Sequence, residues 1–186
     1  MPSQQPTITS ARGTRQFACS AAAVLVCVVN SSEQILLLSH PRRPGTWEVV
    51  NGALEAQETI MDGVLRELHE EIGPDVRARP LGTVHTWTFA YDTAVQYMIS
   101  VCYLLAYEGG AIAPGNDMVG SAIRWWNLDE LEDDQVYLLV PRGQKWILRR
   151  AIELYRLWHG QAPLLQPPID PTAQPKDVGF HRQEGG

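Results

Sequence analysis

Arg66, Glu67, Glu70 and Glu71 stand so close in the sequence that a single helix must bring their side chains into one neighbourhood. At about 100° per residue, the three glutamates fall within an arc of roughly 100°. Met61, Val64, Leu65, Leu68 and Ile72 take the adjoining arc, while Asp62, Arg66 and His69 point elsewhere. The stretch reads as a helix with an apolar face for a core and a line of carboxylates along its edge. Like charges at i,i+3 and i,i+4 destabilise a helix by a few tenths of a kcal/mol per pair, and Gly63 costs about 1 kcal/mol against alanine. A hard divalent cation would offset the repulsion, because Mg²⁺ takes oxygen from a few carboxylates and leaves its other positions to water and substrate phosphates. Most Glu-rich helices are simply solvated on their charged side. The pattern around this one sets it apart.

Gly52 is followed after five residues by Glu58, and after seven more by Arg66-Glu67-Leu68, one residue, Glu70-Glu71, one residue and Gly73. This order and spacing resembles the Nudix box of the Nudix hydrolases. Counted from a glycine at the place of Gly52, the seven further fixed positions would coincide by chance at average usage about once in a hundred million such starting points. Two departures stand out. Pro74 occupies the place of an aliphatic residue, but it follows Gly73, where a helix stops and proline commonly comes next. Upstream, Trp47-Glu48-Val49-Val50-Asn51-Gly52 is similar to the family's Trp-x-x-Pro-Gly-Gly approach, with Val50 and Asn51 replacing the proline and first glycine. Asn51 is able to adopt the positive φ of a glycine, so the turn is expected to survive.

The resemblance implies an α/β fold, a Nudix-type α/β/α sandwich with a mixed β-sheet. It also implies a Mg²⁺-dependent pyrophosphohydrolase, with Mn²⁺ as a substitute, that cleaves the P–O–P bridge of a nucleoside diphosphate linked to another moiety. Carried over residue by residue, Glu70 and Glu71 are metal ligands, Glu67 is a ligand or the water-activating base, and Arg66 pairs with a carboxylate and orients it. Glu58 and the carbonyl of Gly52 assist the metal. A further acid is expected from a loop after the box, with Asp117 first and Asp92 and Glu108 behind it. Nucleoside and dinucleoside polyphosphates are the first expected substrates, since Tyr91 lies 17 residues beyond the box, similar to the tyrosine of dinucleoside polyphosphate hydrolases. Nucleotide sugars and ADP-ribose-like pyrophosphates are the alternative. A non-catalytic nucleotide-sensing module, or an interaction domain using the tail, is the reading from another class.

Arg42 and Arg43 lie in the loop leading to Trp47 and are candidate phosphate contacts. Trp87, Phe89, Tyr91 and Trp126 are candidate base-stacking groups, although aromatics at period 2 are more often sheet core.

The chain has 186 residues, 45% hydrophobic and 19% charged, enough for one well-cored domain. A net charge of −6 argues against a nucleic-acid-coating protein, so the expected partner is a small nucleotide, with no sequence-specific nucleic-acid binding. A homodimer is compatible with this reading. Cys19, Cys27 and Cys102 sit in apolar runs without metal-ligand spacing and read as buried, reduced thiols of a cytoplasmic protein. The apolar run Ala18 to Val29 is too short to span a bilayer and lacks a signal-peptide cleavage site, so no membrane is expected.

Residues 1–15 read as a flexible N-terminal segment, 16–160 as the catalytic domain, and 161–186 as a proline-rich tail without structure. Within the domain, strands are expected over Gln16 to Val29, Gln34 to Ser39, Val76 to Thr88, Gln96 to Tyr107 and Ala122 to Trp126. The box helix follows the second strand, a short helix follows Trp126, and an amphipathic helix runs from Pro141 to His159.

Overall fold

The computed structural model describes residues 5–115, 118–131, 136–139 and 141–161. Near the N-terminus, β1 (Thr7–Thr9) pairs antiparallel with β2 (Gln16–Ala18). This small exposed hairpin lies where a shapeless segment and the start of a long strand were expected. The run predicted from Gln16 to Val29 is broken before β3 (Ala22–Val29). Cys19 follows the hairpin and is exposed, which corrects its reading as a core thiol. Cys27 and Cys102 are buried, with their sulfur atoms 3.6 Å apart.

Among the described residues, a mixed eight-stranded sheet forms the centre. Beside β3 lie β4 (Ile35–Ser39), β6 (Val50–Ala53) and β8 (Met98–Gly109), while β7 (Arg77–Phe89) extends from β8. β5 (Thr46–Glu48) and β9 (Ala122–Trp126) pair with β4, and β10 (Tyr137–Leu138) lies parallel to β5. The expected turn at Trp47 to Gly52 is instead strand. Asn51 has no positive φ, because the chain passes from pairing with β4 to pairing with β3 and needs no left-handed residue.

Alternation along the strands divides the core in two, since successive side chains point to opposite faces. Val24, Val26, Val28, Leu36 and Leu38 meet Val64, Leu68 and Ile72 of α1 (Ile60–Ile72). On the other face Cys27, Val29, Ile35 and Leu37 meet Leu148, Ala151, Ile152 and Tyr155 of α3 (Pro141–Trp158). The expected α/β/α sandwich is the observed architecture. Trp126 is 5% exposed in the second core and packs edge-on against Trp47, so its place is structural rather than base-stacking. Among the described residues, no helix is long and apolar enough to cross a membrane.

The short α2 (Leu128–Leu131) is held by Asn127, whose backbone N–H and side-chain amide donate to Glu130 Oε2 at 2.9 and 3.0 Å. The backbone bond first, with Arg124 beside it, holds the Glu130 carboxyl below its usual range. A depressed carboxyl contributes stability that is present above the unfolded pKa and lost as pH falls through the folded one. Glu130→Gln is therefore expected to melt lower than wild type at neutral pH and to match it in acid below that folded value. Thermal melts at the two pH values check this.

Candidate active site

Helix α1 begins at a capping box, in which the Thr59 side chain accepts from the Asp62 N–H and the Asp62 carboxylate accepts from the Thr59 N–H. Such a box satisfies two orphan donors reciprocally. Gly63 lets Leu54 of the preceding loop lie against the helix, for a Cβ there would collide with the Leu54 side chain. The helical cost assigned to Gly63 thus has a packing return. At the other end the Gly73 N–H bonds to the His69 carbonyl, and the Ala113 N–H to the Ile72 carbonyl at 2.9 Å.

The structure brings the carboxylates together around Arg66. Its Nε and Nη2 donate to the two oxygens of Glu58 at 2.8 and 3.0 Å, and Nη1 donates to Glu67 Oε1 at 2.7 Å and Glu70 Oε2 at 3.1 Å. Nη2 also reaches the Ala53 carbonyl at 2.9 Å. The helical wheel turned Arg66 away from the glutamates; its long side chain bends back to join them. Fork-shaped bidentate pairing of this kind fixes orientation as well as charge. The guanidinium pulls the Glu58 carboxyl below its usual value, and Glu58 in turn raises that of Arg66. Burial pushes the Glu67 carboxyl upward against the pull of Arg66.

Glu67 and Glu71 are 8% and 9% exposed, while the Glu70 side chain is 40% exposed. Glu71 accepts from the Asn51 N–H at 3.2 Å. A Cβ built at Gly52 would fall on the Glu67 carboxylate. The Glu67 side chain therefore occupies the space a residue with a side chain would take, and this strand position demands glycine for room rather than for φ.

This donor set fits a hard divalent cation in chemistry. It offers oxygen only, with two carboxylates buried beside the Cβ-less strand. In the arrangement described, Arg66 holds Glu67 and Glu70, and among the described residues no three acidic, His or Cys side chains converge on one point.

The other expected site residues are dispersed. Arg42 is exposed, with its backbone N–H on His40 Nδ1. Arg43 donates to Glu48 Oε1 at 3.2 Å. Trp87 lines a cavity of about 410 Å³ on the α3 face, together with Glu48, Asn51, His85, Ser100 and Trp146. Apart from Trp87 and Phe89, sequence reasoning missed this cavity. Tyr91 is 70% exposed and belongs to neither cavity nor core. Asp92 is turned back on its own loop, accepting from the N–H groups of Ala94 and Val95. Glu108 is paired with Arg79. Asp117 lies outside the described residues, but Gly115 rests against the Glu70 carbonyl, where a Cβ would approach to 2.7 Å.

A family model described as NUDIX domain matches residues 20–150. The chain belongs to the Nudix family. Family members generally use divalent metal ions. Among its Nudix relatives is the uncharacterized Nudix hydrolase YvcI of Bacillus subtilis, 43% identical over 136 residues, covering 72% of this chain and 81% of that protein. The NAD-capped RNA hydrolase NudC of Vibrio parahaemolyticus is 32% identical over 108 residues, 58% of this chain and 39% of its own length. This Nudix chain thus spans well under two thirds of that relative. An ADP-ribose pyrophosphatase from Streptococcus suis superposes with a TM-score of 0.55 at 20% identity, over 74% of this chain and 93% of that one, a likeness of fold.

Proposed function

We propose that the protein is a Mg²⁺-dependent pyrophosphohydrolase that attacks a P–O–P bridge in a nucleoside diphosphate linked to another moiety. The observation that carries this is the buried Glu67 seated against Gly52, with Glu70 and Glu71 one helical turn on and Arg66 anchoring the group to Glu58. A bound cation would neutralise phosphate charge and lower the pKa of a water.

The chain's own residues do the positioning. Arg66, fixed by Glu58, orients Glu67 and Glu70, and the Asn51 N–H orients Glu71. Glu70, Glu71 and the Gly52 carbonyl supply ligand oxygens. Glu67 is a ligand or receives the proton of the attacking water, a role suited to a carboxyl whose burial raises its basicity. Asp117 is the further acid, supported by the contact of Gly115 with the Glu70 backbone. Residues 16–160 constitute the catalytic unit and the protein acts in the cytoplasm.

The substrate order is nucleoside and dinucleoside polyphosphates ahead of nucleotide sugars, with NAD-like and ADP-ribose-like dinucleotides included because of the relatives' names. A product screen across these classes, with Mg²⁺ and with chelator, tests the proposal. Metal-dependent release of a nucleoside phosphate supports it; binding without turnover of any class would favour the sensing module. Because Tyr91 is so exposed, Tyr91→Ala is expected to leave the melting temperature nearly unchanged, within the usual ±0.5 kcal/mol of surface substitutions. Any rise in its KM on a dinucleoside polyphosphate, compared with a nucleotide sugar, then reports substrate contact.

A further inference from the structure

Asn51 uses its backbone and its side chain in different directions. Its N–H reaches Glu71 Oε2 at 3.2 Å, while its side-chain amide donates to the Val49 carbonyl at 2.9 Å and to Glu48 Oε2 at 3.3 Å. An amide nitrogen carries two hydrogens, so both donors are engaged. Because both partners are acceptors, the orientation of the amide is fixed. The other oxygen of Glu48 is held in turn by Arg43 at 3.2 Å, and Glu48 is 7% exposed. Glu48 closes β5, and Val49 lies between β5 and β6. The Asn51 side chain thus ties the end of one strand to the second residue of the next across their junction.

The junction needs such a tie. Among the described residues β6 pairs with β3 alone, with Leu25 opposite Asn51 and Val24 opposite Gly52. No second strand fixes its outer edge, and the Asn51 N–H goes to Glu71 instead of into the ladder. Two of the box carboxylates depend on where this backbone lies. Glu67 fills the space beside Gly52 that a Cβ would take, and Glu71 accepts from the Asn51 N–H. Glycine is the most permissive residue of the backbone, so Gly52 supplies no restraint of its own. In the Trp-x-x-Pro-Gly-Gly approach that this stretch resembles, a proline at the place of Val50 would fix φ by its ring. Val50 lacks that ring, and Asn51 stands where the pattern has a glycine with no side chain to clamp. The two departures compensate, since one removes a covalent restraint and the other adds a hydrogen-bonded one.

We propose that the Asn51 side chain is a positioning residue for the carboxylates of α1: clamped on Glu48 and Val49, it sets the backbone N–H that orients Glu71. The inference rests on the hydrolase reading and adds to it the groups that hold the ligand set from the far side of the sheet, where the Asn51 side chain lies. Asn51 touches neither substrate nor metal in this role, and Glu48 acts one step further back.

Mn²⁺ binding without substrate, followed by the electron paramagnetic resonance of the free aquo ion, tests it apart from turnover. Asn51→Ala keeps the backbone N–H and removes the clamp, and it is expected to bind Mn²⁺ about tenfold more weakly, the lower end of what the loss of a group behind a metal ligand costs. Asn51→Asp matches the amide in size but has no hydrogen to donate when ionised, and should lose at least as much. Ser100→Ala alters the same cavity wall without touching the clamp, and should bind as wild type does. In steady-state kinetics of Asn51→Ala the substrate KM at saturating metal should be unchanged, while the Mg²⁺ concentration for half-maximal rate rises about tenfold. In a Glu71→Gln background, adding Asn51→Ala should weaken Mn²⁺ binding by less than about twofold, because groups that act through one another are not additive. Wild-type affinity in folded Asn51→Ala and Asn51→Asp, an equal loss in Ser100→Ala, or the full loss repeated in the Glu71→Gln background would overturn the proposal. If wild type binds Mn²⁺ and turns over with metal while both Asn51 variants match it, only this inference falls. If wild type neither binds Mn²⁺ nor shows metal-dependent turnover, the hydrolase reading falls and takes this inference with it.

Discussion

Glu70→Gln and Glu71→Gln are each expected to lower Mg²⁺-dependent turnover by about 100-fold or more while the fold remains intact. Ligand charge is removed without a change in side-chain size, and even residues one shell behind a metal typically cost 10–100-fold when lost. The glutamine that replaces Glu71 keeps a carbonyl oxygen to accept the Asn51 N–H, and Glu70 is partly exposed, so neither change opens a cavity. In metal-free protein the melting temperature should hold or rise slightly for Glu71→Gln, since like-charge repulsion along α1 is relieved by a few tenths of a kcal/mol, and should stay nearly unchanged for Glu70→Gln, where that relief is offset by the weakened bond from Arg66. Steady-state kinetics beside thermal melts read the two effects separately. A variant that turns over normally would remove that glutamate from the site.

Gly52→Ala is expected to do comparable damage through one methyl group. The new Cβ would fall on the Glu67 carboxylate, which must swing away and lose its 2.7 Å bond to Arg66. Because the displaced atoms are the end of a flexible side chain, the protein should still fold. Misplacing a reacting group by about 1 Å costs on the order of 100-fold, so kcat/KM should fall by about that factor with a cooperative melt retained. A fully active Gly52→Ala variant would show that the position of Glu67 is immaterial to the reaction.

The site was legible wherever its geometry is local. Arg66, Glu67, Glu70 and Glu71 share one helix, and helical spacing determines which of them can meet. The longer strands and the two long helices followed from alternation and amphipathic periodicity in the same way, whereas the α/β/α layering came from the resemblance of the box to the Nudix family, and the short strands β1, β5, β6 and β10 were not foreseen. What escaped the sequence depends on long-range placement. Asn51 was weighed as a substitute for a turn glycine, yet it lies in a strand because β6 fills the gap where β3 leaves β4. Glu48 and Ser100 carry no periodic mark of their own, and the cavity they line exists only once β5, β6, β8 and α3 are assembled. Tyr91 continued an aromatic alternation that suggested sheet, but β7 ends at Phe89 and leaves it in an exposed turn. The reach of Arg66 shows the limit of a helical wheel, which assigns directions to Cβ atoms and not to the far end of a long side chain.

Hydrolysis of a nucleoside polyphosphate in oxygen-18 water, with Mg²⁺ and with chelator, tests the central claim most directly when the products are weighed by mass spectrometry. The predicted result is one heavy oxygen in a phosphate product, formed only with Mg²⁺ and lost in Glu70→Gln and Glu71→Gln. Turnover that proceeds equally in chelator and in both variants would contradict the assignment of the α1 carboxylates as a metal-dependent pyrophosphohydrolase centre.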